Sequence, residues 1–337
     1  MRVAVFNGAE QPISIEHVAD EPLGPTDLRI AVSHCGICGS DITMTSGSAF
    51  DYQTGCRLGH ETSGTVIELG KEVAARGLRK VGDRVAVMPR GFCGTCPQCR
   101  AGRPLFCASG PVQFGGFGER LVVTETSAFA FPDSVSLSEG ALVEPIACGR
   151  RAFRMARLQQ GDAVLVLGAG SMGLAAIYWA RMMGAGRIVV ATRTAARHAI
   201  ALAIGADAAI SIAEDEPGAL ASAFVSPPDI VVEATGKPGM LHQAAAAARI
   251  GGSVISLGMC VVADPVIPAF NGFQELSMYF PVAYAAEDFT ETIRAFDRGS
   301  IEPGIMVTET VPLSGLAALI EDMRGPNDHL KVQIVPD

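Results

Sequence analysis

The chain has 337 residues and a formal net charge of −9, with 49% of its residues apolar and 18% charged. That balance fits a globular protein with a large core and room for two domains. No basic run occurs, so neither nucleic acid nor an anionic membrane surface is an expected partner. The opening MRVAVFNGAE lacks the features of a secretory signal, so the expected location is the cytoplasm.

The first ~145 residues carry short alternating segments and many glycines. MRVAVF, LRIAVSHCG, TSGTVIELG, DRVAVM and ERLVVT read as strands of a β-rich domain. Between them lie segments with metal-ligand chemistry. HCGICGSD offers Cys38, and LGHETSG offers His60 and Glu61. Further on, LVEPIACG offers Glu144. A thiolate, an imidazole and a carboxylate make a three-ligand zinc site with one position open. A zinc ion so held can lower the pKa of an alcohol or polarise a carbonyl. Taken singly, His60 reads equally as a hydrogen-bonded structural histidine, Glu144 as a helix cap, and Cys35 as packing.

Four of the nine cysteines, Cys93, Cys96, Cys99 and Cys107, fall in GFCGTCPQCRAGRPLFC. The spacing C-x2-C-x2-C-x7-C lets four thiolates close a tetrahedron around zinc. Such a shell leaves no open position, so this site is expected to hold structure and not to catalyse. An iron–sulfur cluster or unligated core cysteines are the competing readings.

From about Cys148 strand-like and helical stretches alternate, the pattern of a parallel sheet with helices on both faces. The run Ala163–Ala180 is long enough for a membrane span. Its glycines break it, however, into a strand, a turn and a buried helix. GAGSMG occupies that turn and fits G-x-G-x-x-G. Gly168 makes the turn, Gly170 admits a pyrophosphate, and Gly173 packs the helix on the strand, with Ser171 and Met172 between them. A methyltransferase-like fold or an empty glycine turn are the alternatives. The next strand ends in Thr192 and Arg193, with Arg197 one turn on, where an acidic residue would bind the ribose of NAD. A hydroxyl and two guanidiniums suit a 2′-phosphate, so NADP(H) is expected over NAD(H). After about Pro281, DFTETIRAFDRGS reads as a helix, and MVTETVPL and KVQIVPD as strands.

CGICGSD, GHE, the four-cysteine lobe and GAGSMG, in that order, resemble the zinc-dependent medium-chain alcohol dehydrogenases over nearly the whole chain. Glu144–Pro145 is similar to the sorbitol, threonine and butanediol dehydrogenase branch. The resemblance implies an α/β fold with a GroES-like β-rich catalytic domain, residues 1–147 and 282–337, and an inserted Rossmann domain, residues 148–281. It implies two zinc ions per chain and a homodimer or homotetramer. Cys38, His60 and Glu144 would hold the catalytic zinc, with Glu61 an exchanging or alternative ligand. Asp41 would orient His60, and Ser40 would take the proton from the substrate hydroxyl. Ala234, Thr235 and Gly236, and Leu257, Gly258 and Met259, would line the cofactor and its nicotinamide. One residue departs from the pattern. Relatives often have histidine two residues after the aspartate, to pass the proton outward; Thr43 stands there and has no useful pKa near neutrality. The substrate implied is a secondary alcohol or polyol and its ketone. A quinone or enoyl reductase, or a zinc-stabilised nucleotide-binding protein without turnover, are the other readings. Phe50 and Tyr52, in the loop Thr45–Arg57, are candidates for the substrate pocket.

Overall fold

The computed structural model describes residues 1–9, 11–48, 51–212, 222–325 and 327–337. The chain divides into two compact units. One comprises Met1–Glu144, Ala285–Arg298 and Val307–Asp337; the other comprises Pro145–Tyr284 and Gly299–Met306.

The first unit is mostly antiparallel sheet. β1 (Arg2–Val5) pairs with β2 (Ser14–His17). The main sheet holds β3 (Asp27–Gly36), β4 (Glu61–Leu69), β5 (Arg84–Val87), β6 (Arg120–Thr124), β7 (Ala128–Ala130), β14 (Val307–Pro312) and β15 (Lys331–Val335). Its order is β14-β15-β3-β4-β5-β7, with β6 also paired to β3. Leu28, Ile30 and Val32 of β3 alternate into a cluster with Val66, Val85, Leu121 and Val123, the period-2 burial of a half-covered strand. Then the parity changes. Val32 faces Gly64 and His34 faces Ser63, so Ser33 is one residue more than β4 can match. The bulge turns the following side chains the other way. Cys35 and Ile37 therefore join a different cluster, with Phe6, Leu58, Phe117, Val332 and Ile334.

The second unit is a six-stranded sheet of β8 (Ala163–Leu167), β9 (Arg187–Thr192), β10 (Ala208–Ser211), β11 (Ile230–Glu233), β12 (Ser253–Ser256) and β13 (Ser277–Tyr279). Every pairing is parallel, in the order β10-β9-β8-β11-β12-β13. AVLVL and IVVE are buried almost throughout, as strands covered on both faces must be. This is the doubly wound Rossmann arrangement, whose strand order reverses between β8 and β11 and leaves a ligand crevice at the strands' carboxyl ends. The apolar run Ala163–Ala180 resolves into β8, a glycine turn and the helix Ser171–Met182. Among the described residues no helix is long and apolar enough to cross a membrane.

Candidate active site

The sheet register assembles the first cluster of functional groups. Glu61 of β4 and Gln333 of β15 both face Gly36, the last residue of β3. A Cβ at Gly36 would run into the Glu61 carboxylate, so only glycine leaves that carboxylate its place. Just past β3 the chain enters α1 (Gly39–Thr43), with Cys38 as its N-cap. Just before β4, Gly59 takes φ +94°, and a Cβ there would strike Phe117 and the Cys35 sulfur. That left-handed turn favours glycine and delivers His60. Cys38, His60 and Glu61 thus bring one ligand atom each within 4.8 Å of one another.

Around this trio, Asp41 is buried, and its Oδ2 accepts the Cys38 N–H at 3.0 Å. Its Oδ1 stands 3.3 Å from His60 Nδ1, off the hydrogen-bond direction, so Nδ1 has an electrostatic partner without an aligned bond. Ser40 Oγ lies 3.4 Å from His60 Nε2. Burial works to lower the His60 pKa, but the Asp41 carboxylate and the Cys38 sulfur outweigh it and raise it well above an imidazole's ordinary value. A half-buried thiol, an imidazole and a buried carboxylate, with negative charge gathered around the imidazole, fit a divalent zinc. Glu144 is half-buried in the first turn of the helix Val143–Ala156, and its charge acts on Lys331. Thr43 Oγ1 donates to the Gly39 carbonyl at 3.1 Å. Tyr52 packs edge-on to Phe114, whose ring also faces His60, and its hydroxyl reaches Asp41 Oδ1 at 3.5 Å. Phe50 lies outside the described residues.

Sequence reasoning missed Lys331. Its side chain and that of Glu61 are both 0% exposed. Nζ donates to the two Glu61 oxygens at 2.7 and 2.6 Å and to the Ile37 carbonyl at 2.9 Å, which uses all three ammonium protons. Burial works to lower the Lys331 pKa; Glu61, then Cys38, outweigh it and hold it above its ordinary value. The only sequence signal was a lysine opening an apolar strand, KVQIV, where a charge has no place without a partner.

The cysteine lobe gathers the sulfurs of Cys93, Cys96, Cys99 and Cys107 within 4.8 Å of one another. All four cysteines are free of disulfide bonds. Cys93 and Cys99 sulfurs are 3.9 Å apart, close to the ~3.8 Å edge of a tetrahedron with Zn–S near 2.3 Å. Backbone N–H groups point at the sulfurs, Cys96 at Cys93 (3.3 Å), Cys99 at Cys96 (3.5 Å) and Cys93 at Cys107 (3.4 Å). The Thr95 hydroxyl and neighbouring N–H groups bring the Cys93 pKa down to about 5, and the Ser109 hydroxyl lowers that of Cys107. Desolvation and the Cys96 thiol push Cys99 up to about 12. Four sulfurs gathered this closely, with N–H groups directed at three of them, fit a metal shell.

In the second unit, Gly168 has φ +100° and ends β8. A Cβ at Gly173 would run into the Gly168 carbonyl, so the third glycine is needed for helix to meet strand. Gly170 faces open space; only Arg197 Nη1, at 3.9 Å, approaches a Cβ built there. Ser171, Met172 and Gly173 form the first turn of the following helix, the end at which backbone N–H groups favour an anion. The cradle fits a pyrophosphate. At the end of β9 the Thr192 hydroxyl donates to the Thr194 carbonyl (2.6 Å) and meets His198 Nε2 (2.8 Å). Arg193 is exposed beside it. Glu233, which sequence reasoning also passed over, joins the loops after β11 and β12. Its carboxylate accepts the Thr235 N–H and hydroxyl, both at 2.6 Å, and the Gly236 N–H at 3.0 Å. Its carbonyl accepts the N–H groups of Leu257 and Gly258. Met259 is exposed, and its backbone lies close to Gly236.

Residues 24–133 match the family model "Alcohol dehydrogenase GroES-like domain", and residues 171–298 match "Zinc-binding dehydrogenase". The sorbitol dehydrogenase of Bacillus subtilis (strain 168) is 30% identical over 350 residues, covering 100% of this chain and 98% of the relative. A structure described as a zinc-binding dehydrogenase from Sinorhizobium meliloti 1021, bound to NADP, is 28% identical with a TM-score of 0.88, covering 99% of each chain. A structure described as a short chain alcohol dehydrogenase from Escherichia coli CFT073, complexed with NADH, is 26% identical with a TM-score of 0.88 and the same coverage. The chain therefore belongs to the zinc-dependent medium-chain alcohol dehydrogenase family, in its sorbitol dehydrogenase-like branch.

Proposed function

We propose that this enzyme transfers a hydride between NADP(H) and a secondary alcohol or polyol and its ketone. The meeting of Cys38, His60 and Glu61 within 4.8 Å carries the reading. Zinc held by Cys38, His60 and Glu144, with Glu61 as an exchanging ligand, would supply a Lewis acid for the substrate oxygen. The chain's own groups do the rest. Asp41 keeps negative charge on the Nδ1 side of His60. Ser40 takes the hydroxyl proton; with Thr43 in place of a base, water near Thr43 or another group completes the relay, or proton release is slower. The glycine turn Gly168–Gly173 holds the pyrophosphate. The loops Ala234–Gly236 and Leu257–Met259, tied together by Glu233, would border the nicotinamide, which would supply the hydride acceptor. Alcohol and NADP⁺ so become ketone, NADPH and a proton. A second zinc on the four cysteines would pin its lobe, as loop-rich segments need. A homodimer or homotetramer in the cytoplasm completes the reading.

Polyols are supported by the sorbitol dehydrogenase likeness. Relatives of similar overall fold bind NADP in one case and NADH in another, so support for NADP is local: Thr192, Arg193 and Arg197, and no acid at the end of β9. Titration of nucleotide fluorescence tests it. NADPH is expected to bind more tightly than NADH, and Arg193→Ala to weaken NADPH about tenfold or more while leaving NADH unchanged. An NADPH dissociation constant no lower than that of NADH would discard the preference and keep the dehydrogenase.

A further inference from the structure

We propose that Arg324, in the C-terminal segment, is a positioning residue that fixes the orientation of α1 and, through it, the metal-binding Cys38 and the Asp41 carboxylate that faces His60. The inference rests on the zinc reading above. α1 has five residues, too few to hold a helical geometry or a tilt by itself. Yet it carries Cys38 at its start and Ser40 and Asp41 within. Its first end is closed locally by the Asp41 side chain, which accepts the Cys38 N–H. Its other end has no basic residue in the last turn, and its final carbonyls need donors.

Arg324 supplies one, to Ile42, from 282 residues away, and grips Thr45 just beyond the helix. Nη1 donates to the Ile42 carbonyl at 2.9 Å. Nη2 donates to the Thr45 carbonyl at 3.0 Å and to the Thr45 hydroxyl at 2.9 Å. That hydroxyl, on a residue 2% exposed, donates onward to the Asp41 carbonyl at 2.6 Å. Glu321 holds the guanidinium from behind, with both oxygens 3.1 Å from Nε. A continuous path thus runs Glu321–Arg324–Thr45–Asp41, and Asp41 touches Cys38 and faces His60. The contact needs a planar fork with several donors, which arginine has and lysine lacks. Without it α1 keeps its sequence and its N-terminal cap but loses the groups that set its tilt.

Timed zinc release to a chromogenic chelator, with both sites loaded, tests the assignment. Cys38→Ser identifies which released equivalent belongs to the α1 site. Arg324→Ala is expected to release that equivalent about tenfold or more faster, the range for partners that orient ligands, while the four-cysteine equivalent keeps its wild-type rate. Thr45→Val, nearly isosteric, should accelerate the same equivalent, and the double variant should add little to the larger single effect. Arg324→Lys should recover only part of the loss. If Arg324→Ala does not fold, Thr45→Val decides. Unchanged release of both equivalents, or equal acceleration of both, overturns the proposal. A wild-type chain that binds fewer than two zinc ions defeats the reading of the metal centres, and this inference with it.

Discussion

Replacing Lys331 with methionine removes a buried cation and leaves the buried Glu61 carboxylate without its ammonium partner. Both side chains are 0% exposed, and the ammonium makes three hydrogen bonds. Orphaning one member of such a pair costs about 3–5 kcal/mol. Glu61→Leu, which orphans the ammonium instead, should cost a similar amount. The double variant Glu61→Leu/Lys331→Met removes both charges, and its loss should fall to about 1 kcal/mol or less. Urea unfolding followed by circular dichroism, with metal content matched, measures all four proteins. The dependence on pH has a definite sign. The Lys331 pKa is raised in the folded protein, so its contribution is complete below the unfolded lysine value of about 10.4 and is lost only as pH rises through the higher folded value. The Lys331→Met deficit should therefore be flat from about pH 6 to 9. A single-variant loss below about 1 kcal/mol, or a double variant as unstable as the sum of the singles, would refute the charge argument.

Cys96→Ser should lower soluble yield or assembly, whereas Cys38→Ser should abolish turnover with the circular dichroism spectrum unchanged; a soluble, fully active Cys96→Ser protein removes the structural role of the lobe. Zinc affinity at the Cys38–His60 site should fall with falling pH, by up to about tenfold per unit, because the raised His60 pKa makes the metal compete with a proton; competition titrations at several pH values check it, and a flat profile contradicts it. Thr43→His should raise the rate of alcohol oxidation near neutral pH if proton release limits turnover, and an unchanged rate means the relay is not limiting or runs elsewhere.

What could be read from the sequence was whatever local spacing encodes. The cysteine lobe lies within fifteen residues, and the strand–glycine turn–helix of GAGSMG is one unbroken stretch. Long periodic strands such as β3 and β4 announced themselves, while β2, β7 and β13, of three or four residues, carry too little period to register. The groups that went unseen are those brought together by the tertiary fold across long stretches of chain. Lys331 meets Glu61 across 270 residues, and Arg324 meets Ile42 across 282. No pattern in a linear chain marks such pairs. The Ser33 bulge changes the buried parity of β3 halfway along, an effect that depends on β4 and not on β3 alone. Glu233 reads as an ordinary strand residue until the loops after β11 and β12 fold onto it.

The most direct test of the central claim is nicotinamide absorbance with a panel of secondary alcohols, polyols and matching ketones. NADP(H) and NAD(H) would each be tried, before and after zinc is stripped and restored. The account predicts turnover of a polyol or secondary alcohol with NADP(H), lost with the zinc, regained with it, and absent in Cys38→Ser. Turnover that survives complete loss of zinc, or that persists in Cys38→Ser, would contradict it.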